Sequence, residues 1–275
     1  MKILFLGDVV GISGCSKVLN NLRSEVEKRK IDFVIVNGEN VFYGYGITPE
    51  FADELLSSGV DVISSGNHIF DQKEIIPYLG RNKKVLKPFN LSSASAGNGY
   101  GLFKTTNGKN ILVINLMCNL FMKKSDNIFY TINLLLNKYI LKKNCDAILI
   151  DLHGEVASEK QAFANFIDGR VSAVIGTHTH VPTSDLRILP NGTAYQTDAG
   201  MCGDYDSVIG GDKNAWIEKF LDDTYYKKIE TSSKGIALCG AIIKICDKTG
   251  LSSIVKQLIL GDTIENKIPN EKIFL

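Results

Sequence analysis

With 275 residues, 44% of them hydrophobic and 22% charged, the chain has enough apolar side chains for a large core, and its length allows one domain or two. The 31 Lys and Arg against 30 Asp and Glu leave a formal net charge of +1, so bulk electrostatics gives no case for nucleic acid or an anionic membrane as partner. The six cysteines are scattered without a CxxC pair, which reads as buried small hydrophobes in a reducing compartment. The apolar start, Ile3 to Leu6, is too short for a signal peptide and an Asp follows at once. No apolar run approaches the ~20 residues that span a bilayer, so a cytoplasmic location is expected.

Taken in order, Ile3 to Leu6 reads as a strand buried on both faces, and Asp8 follows it. From Ser16 to Lys30 the positions Val18, Leu19, Leu22 and Val26 recur at helical spacing. Phe33 to Val36 is a second buried strand, ending in Asn37-Gly38-Glu39-Asn40. Thr48 is placed to cap a helix with Pro49 at its first position and Gly59 at its end. Val60 to Ile63 is a third strand, running into Gly66-Asn67-His68; Asp71 and Glu74 have the spacing of a capping box for a short helix. Residues 87–110 read as loop plus a strand around Tyr100 to Lys104, then a strand from Ile111 to Leu116.

A helix is expected over Asp126 to Lys142, a strand over Ala147 to Ile150, a helix over Ser158 to Ile167 and a strand over Val171 to Ile175. Two hairpins close the chain. Leu186 to Leu189 pairs with Ala194 to Thr197 around Asn191-Gly192, and Ile236 to Cys246 pairs with Ser253 to Leu260 around Thr249-Gly250. A helix over Lys213 to Asp222 lies between them. No linker divides the chain, so residues 1–275 are read as one α/β domain, two sheets packed face to face with helices outside.

Asp8, Glu39, Asn40, Asn67, His68, His153, His178 and His180 all fall within a few residues of the carboxyl end of an expected buried strand. In α/β sheets ligands bind outside those ends. All four histidines of the chain belong to the set, and His178 and His180, at alternate positions of an extended segment, would point the same way. Singly, each has a structural reading: Asp8 as a helix cap, Asn67 in a left-handed turn, a lone histidine satisfied in the core. Together they favour a metal site. Carboxylate, amide and imidazole without thiolate suit Mn, Fe or Zn in a hydrolytic centre, and two cations about 3.5–4 Å apart need a bridging group, which Glu39 can supply.

Gly7-Asp8, Asn37 to Asn40, Gly66-Asn67-His68, His153 and Gly176-Thr177-His178-Thr179-His180 occur in an order that resembles the calcineurin-like metallophosphoesterases. The closer resemblance is to their YmdB-like subfamily, through Gly7 to Gly11, Gly44 to Thr48, Asp151 to Glu155 with Ser158 to Lys160, Gly176 to Pro182, Thr197 to Met201 and Asp206 to Gly210. The resemblance implies a four-layer αββα sandwich with a dinuclear centre of iron or manganese. Asp8, Glu39, Asn40 and His180 would hold one metal; Glu39, Asn67, His153 and His178 would hold the other; His68 would protonate the leaving oxygen. Two departures stand out. Val9 and Val10 follow Asp8 where the wider superfamily has Asp-x-His, with Asn40 in place of the missing imidazole. Cys15 stands near where the subfamily carries an Arg, leaving Lys17 as the nearest cation for a phosphate contact.

The resulting expectation is a phosphodiesterase acting on a small phosphodiester, 2′,3′-cyclic nucleotides by resemblance, with a hydroxide bridging two di- or trivalent metals as nucleophile and His68 as general acid. A phosphomonoesterase such as a nucleotidase uses the same ligands, and a regulatory nucleotide-binding protein is the rival from another class. No membrane partner is expected, and a homo-oligomer is compatible with the sequence. A dinucleotide loop at Gly7 to Gly14 is set aside, because its spacing is wrong and Asp8 would repel a pyrophosphate. Asp71 and Asp151 are near enough in sequence to orient His68 or His153, and the Tyr43 to Gly46 loop to shape the pocket.

Overall fold

A computed structural model describes residues 1–274, so Leu275, the last residue of the expected domain, lies outside the described residues. In chain order the elements are β1 (Lys2–Val10), α1 (Gly11–Arg29), β2 (Phe33–Asn40), α2 (Pro49–Ser57), β3 (Val62–Ser64), α3 (Ile75–Arg81), β4 (Tyr100–Lys104), β5 (Asn110–Met117), α4 (Ile128–Lys138), β6 (Ala147–His153), α5 (Ala157–Phe166), β7 (Ala173–Thr177), β8 (Arg187–Ile188), β9 (Ala194–Gln196), β10 (Met201–Asp204), α6 (Lys213–Leu221), β11 (Ile236–Ile245) and β12 (Ser252–Leu260). They form two six-stranded sheets, ordered β12-β11-β10-β1-β2-β3 and β4-β5-β6-β7-β9-β8. In the first, β10, β1, β2 and β3 run parallel; in the second, β5, β6, β7 and β9 do.

Strand alternation sorts the side chains into layers. Ile3 and Phe5 of β1, Ile111 and Val113 of β5, and Ile175 of β7 meet in the core between the sheets. Leu4 and Leu6 turn to the opposite face, against Val18 and Leu22 of α1, Leu55 of α2 and Leu79 of α3. Leu112, Ile114 and Ile150 pack outward on Ile132 and Leu136 of α4 and Phe163 of α5. Each fully buried side chain of this kind contributes about 1.5–3 kcal/mol. The architecture is the four-layer αββα sandwich, and no described helix is long and apolar enough to cross a membrane.

Several local expectations are corrected. β1 runs on to Val10 and α1 starts at Gly11 rather than Ser16, because the buried Gly14 and Cys15 continue the apolar face without bulk. Thr48 sits at the N-cap of α2 but makes no capping bond from its side chain to that helix. The Asp71–Glu74 capping box does not form: Glu74 is the N-cap of α3, without a side-chain bond, and Asp71 is engaged by His68. The helix expected over Asp126 to Lys142 is Ile128–Lys138, capped by Asn127, whose side chain accepts from Tyr130 N. β10 was not expected, since Met-Cys-Gly-Asp has no readable period; it pairs in parallel with β1 and antiparallel with β11. Cys15 is buried in the helical layer, its thiol pushed up to about 12 by burial, so position 15 faces the core and offers nothing to a phosphate. Five of the six cysteines are buried, and all are free.

Candidate active site

The parallel strands of both sheets deliver their carboxyl ends to one place. β1 brings Asp8, β2 brings Glu39 and Asn40, the turn after β3 brings Asn67 and His68, β6 ends on His153, and the segment after β7 carries His178 and His180. His153 Nε2 is the focus: Glu39 Oε1 lies 2.9 Å from it, Asn67 Oδ1 3.0 Å and His178 Nδ1 3.1 Å. Glu39 turns its other oxygen, Oε2, to the backbone N–H of His68 at 3.0 Å. Asp8 Oδ2 accepts from His178 N at 3.1 Å, and its Oδ1 is 3.8 Å from His153 Nδ1. Gly66 permits this closeness, for a Cβ there would stand 2.2 Å from His153 Nε2 and 2.4 Å from Glu39 Oε2.

The outer bonds of the imidazoles show which nitrogens face inward. Thr177 Oγ1 donates to Asp151 Oδ1 at 2.6 Å, so it accepts from His153 Nδ1 at 3.0 Å and leaves Nε2 for the site. The fully buried Asp151 also accepts from Ser64 Oγ and Asn37 Nδ2. His180 Nδ1 donates to the Ile209 carbonyl at 2.7 Å, leaving Nε2 free. Glu155 Oε2 is 3.4 Å from His178 Nε2, and His178 Nδ1 points inward. Asn40 Nδ2 donates to the Gly44 carbonyl at 2.9 Å, which leaves its Oδ1 as the unused atom.

The electrostatics favour a cation. Among the described residues five buried side-chain polar atoms have no hydrogen bond, and three of them are Asp8 Oδ1, Glu39 Oε1 and Asn40 Oδ1. Orphaned buried acceptors are costly unless something positive satisfies them. Burial alone would lower His153 and raise Glu39, but their attraction outweighs it, with His153 pushed up to about 9 and Glu39 held down at about 2. The proton between them occupies the place a cation would take. Burial pushes Asp8 well up, with the charges of Asp198 and Glu39 adding to it. Burial first and the charge of His153 second push His178 down to about 3, and burial lowers His180. Both stay neutral, as metal-binding imidazoles must be. Glu39, His153 and His178 could together hold one ion, their ligand atoms lying within 4.8 Å of one another.

His68 stands apart from that cluster. Its Nδ1 pairs with Asp71 Oδ2 at 2.6 Å and its ring meets the Tyr45 ring edge-on at 5.3 Å. A cavity of about 370 Å³ opens over the centre, lined by Glu39, Asn40, His68, His178 and His180 together with Tyr43, Tyr45, Ile209 and Trp216. The expected extended geometry after β7 is corrected: His178 and His180 have φ of 103° and 65°, so they sit in a strained bend rather than on alternate strand positions. The bend is tied down by the buried Lys160 of α5, which donates to Thr177 O, Thr197 O and Asp198 Oδ2, while Asp198 accepts from Thr179 N.

The structure thus brings all eight expected residues to one end of the sandwich. Sequence reasoning missed Thr177, Ser64, the Ile209 carbonyl, Trp216 and Lys123, whose Nζ donates to the Asn67 carbonyl and lies 3.6 Å from Asp71. Only Thr177 and Ser64 carry a signal, as small polar residues at the ends of otherwise apolar strands.

Comparison with known proteins agrees with the geometry. The model of a family described as YmdB-like protein matches residues 4–258. A Bacillus subtilis 2′,3′-cyclic-nucleotide 2′-phosphodiesterase is 38% identical over 95% of this chain and 98% of its own length. The crystal structure of a protein described as a novel phosphatase from Mycoplasma pneumoniae superposes with a TM-score of 0.87 at 32% identity, over 99% of this chain and 96% of that one. A Thermus thermophilus protein described as hypothetical superposes at 0.88 and 33% identity, over 95% of this chain and all of its own.

Proposed function

The chain belongs to the YmdB-like family, and from that membership and the site we propose that it is a metal-dependent phosphodiesterase that opens 2′,3′-cyclic nucleotides. The observation that carries the reading is the convergence of Glu39 Oε1, Asn67 Oδ1 and His178 Nδ1 on His153 Nε2, beside the orphaned buried oxygens Asp8 Oδ1 and Asn40 Oδ1. That donor set fits two cations: Asp8, Glu39, Asn40 and His180 would hold one, Glu39, Asn67, His153 and His178 the other. Oxygen and imidazole ligands without thiolate suit iron or manganese, with zinc as the alternative. When bound, the cations supply charge neutralisation at the phosphate and an acidified water.

The chain's own residues do the rest. Water adds to phosphorus and loses a proton to solvent, one ring P–O bond breaks, and His68 gives its proton to the leaving ribose alkoxide and is reprotonated from solvent. Asp71 holds the His68 ring through Nδ1, so Nε2 is the atom that moves the proton. Thr177 and Asp151 fix His153, and the Ile209 carbonyl fixes His180, each presenting one nitrogen inward. We read residues 1–275 as a single domain, a reading supported by the core shared between the sheets. The free cysteines fit a reducing compartment, and we place the protein in the cytoplasm.

The test is metal analysis of the purified protein, joined to a panel of 2′,3′-cyclic nucleotides and the corresponding monoesters. Two metals per chain are expected, with turnover of the cyclic diesters lost on chelation and restored by manganese or iron(II). Turnover of monoesters alone would reverse the substrate, and full activity in metal-free protein would sink the reading.

A further inference from the structure

Resting on the phosphodiesterase reading, we propose that the apolar part of the catalytic cavity is a nucleobase subsite, in which Tyr43, Ile209, Trp216 and Ile229 receive the base while the phosphate lies against the imidazoles and carboxylates. One cavity carries both chemistries. At about 370 Å³ it suits a mononucleotide-sized ligand. Hydrolysis at phosphorus uses Glu39, His68 and the metal-binding groups; it has no use for an indole or a branched aliphatic wall.

Those apolar groups are placed there at a cost. Tyr43 and Ile209 have φ of 50° and 47°, a left-handed conformation that is unfavourable for bulky and, above all, β-branched residues. Neither is turned into the core by it, since the two remain 48% and 45% exposed. The Ile209 carbonyl is also the acceptor that fixes His180, so this wall is rigidly referenced to the metal-binding groups. Trp216 is the only tryptophan of the chain. It comes from α6, a helix none of whose residues is buried. Asp212 caps that helix by accepting from Ala215 N at 2.9 Å, and the indole then lies against Gly211. A Cβ at Gly211 would stand 2.6 Å from Trp216 Nε1 and 2.8 Å from Ile229 Cγ2, so only glycine leaves both side chains their positions.

A wall of this kind recognises a flat, weakly polar ring. Stacking needs only a π face and tolerates any base, with purines favoured by their area. A ribose bearing a cyclic phosphate next to such a ring meets both chemistries of the cavity at once. A phosphate without a base meets only one.

The single indole makes the subsite directly observable. Manganese-loaded protein is titrated with 3′-AMP and with ribose 5-phosphate while tryptophan emission is followed; a saturable change with 3′-AMP and none with ribose 5-phosphate is expected. In parallel, kcat/KM is measured for adenosine 2′,3′-cyclic phosphate and for ethylene phosphate, a cyclic diester without a base. Trp216→Ala is expected to cut the preference for the nucleotide about tenfold, mainly through KM, the size of one stacking contact. Trp216→Phe is expected to recover most of it. No residue of α6 is buried, and the half-buried Trp216 packs on its own helix's Phe220 and Lys219 and against Gly211 and Ile229, so the Ala variant is expected to fold; Tyr43→Ala, on a different element, is the independent second variant and is expected to narrow the same ratio. If the nucleotide is hydrolysed but emission does not respond and both variants keep the wild-type preference, the subsite is refuted while the phosphodiesterase reading stands. If neither diester is hydrolysed yet 3′-AMP alone saturates the emission change, the subsite stands and the reading falls.

Discussion

His68 is the one histidine of the cavity whose ring is tied to a neighbouring carboxylate three residues away, Asp71, rather than to the ligand cluster. On the proposed mechanism this separates proton transfer from metal holding, and the two can be tested apart. Replacing His68 by Ala is expected to lower kcat by about 10²–10⁴-fold, the usual range for losing a general acid, with the metal content intact. Asp71→Asn is expected to cost about tenfold, because the amide oxygen can still accept from Nδ1 but no longer carries the charge that steadies the protonated ring. Since Asp71 acts through His68, the double variant should be no worse than His68→Ala alone. Additive losses, read from steady-state kinetics, would show Asp71 acting by another route. Asp71 also shows how far residue-level reading reached. Its Asp-x-x-Glu spacing is that of a capping box, and the bond it makes instead depends on His68 turning back at the end of β3. The proposed ligand residues were legible because each follows a buried apolar run; of their partners, Thr177 carries only the weak signal of a small polar residue at a strand end, and the main-chain carbonyl of Ile209 carries none.

At the scale of elements, β10 joins the first sheet and leads into the segment that shapes the cavity wall. Asp204, at its end, is buried and accepts from Asp206 N and Lys234 N at 2.7 Å and from Gly235 N at 2.8 Å. Burial opposes ionisation, but the bonds from Ser232 and from the three backbone N–H groups outweigh it and hold the carboxyl below its ordinary value near 3.8. A carboxyl depressed in the folded state stabilises above its unfolded value, and that contribution is lost as pH falls through the folded one. Asp204→Ala is therefore expected to destabilise by about 2–4 kcal/mol at neutral pH, from charge-assisted bonds lost and N–H groups left unpaired. In denaturant melts the gap to wild type should shrink as pH drops from about 5 to below 3; a gap constant across that range would mean that packing, not the charge, is what Asp204 supplies. None of this was readable beforehand. The two C-terminal hairpins look alike as sequence, yet β8–β9 extends the second sheet through a parallel pairing of β9 with β7, while β11–β12 returns to lie antiparallel to β1, more than 230 residues upstream. Hydrophobic runs and turn residues report local structure; which sheet a hairpin joins is decided by contacts far along the chain, and that is also why Met201–Asp204 was missed as a strand.

For the whole molecule, the placement of the proposed ligand residues on both sheets has a mechanical consequence. Asp8, Glu39, Asn40 and Asn67 come from the β1–β2–β3 side, and His153, His178 and His180 from the β6–β7 side. Cations held between them would cross-link the two sheets at the carboxyl ends of the strands, where polar ligands take the place of the apolar inter-sheet core. Without the ions, Asp8 and Glu39 leave two buried carboxylates facing one another's charge, a repulsion that helps to push Asp8 up. Ions that bind the folded chain and not the unfolded one stabilise it by about 2.7 kcal/mol at a free concentration a hundred times Kd. For a chain of 275 residues that corresponds to a fall in Tm of about 5 °C on chelation. The helices and the three apolar layers do not include the proposed ligand residues, so far-UV circular dichroism at 25 °C is expected not to change. Amide exchange should quicken at the carboxyl ends of β1, β2, β6 and β7 and stay slow at their amino ends, which the apolar core holds. A Tm unmoved by chelation that demonstrably removes the metal, with exchange unaltered at those four ends, would mean that the ions do not couple the sheets.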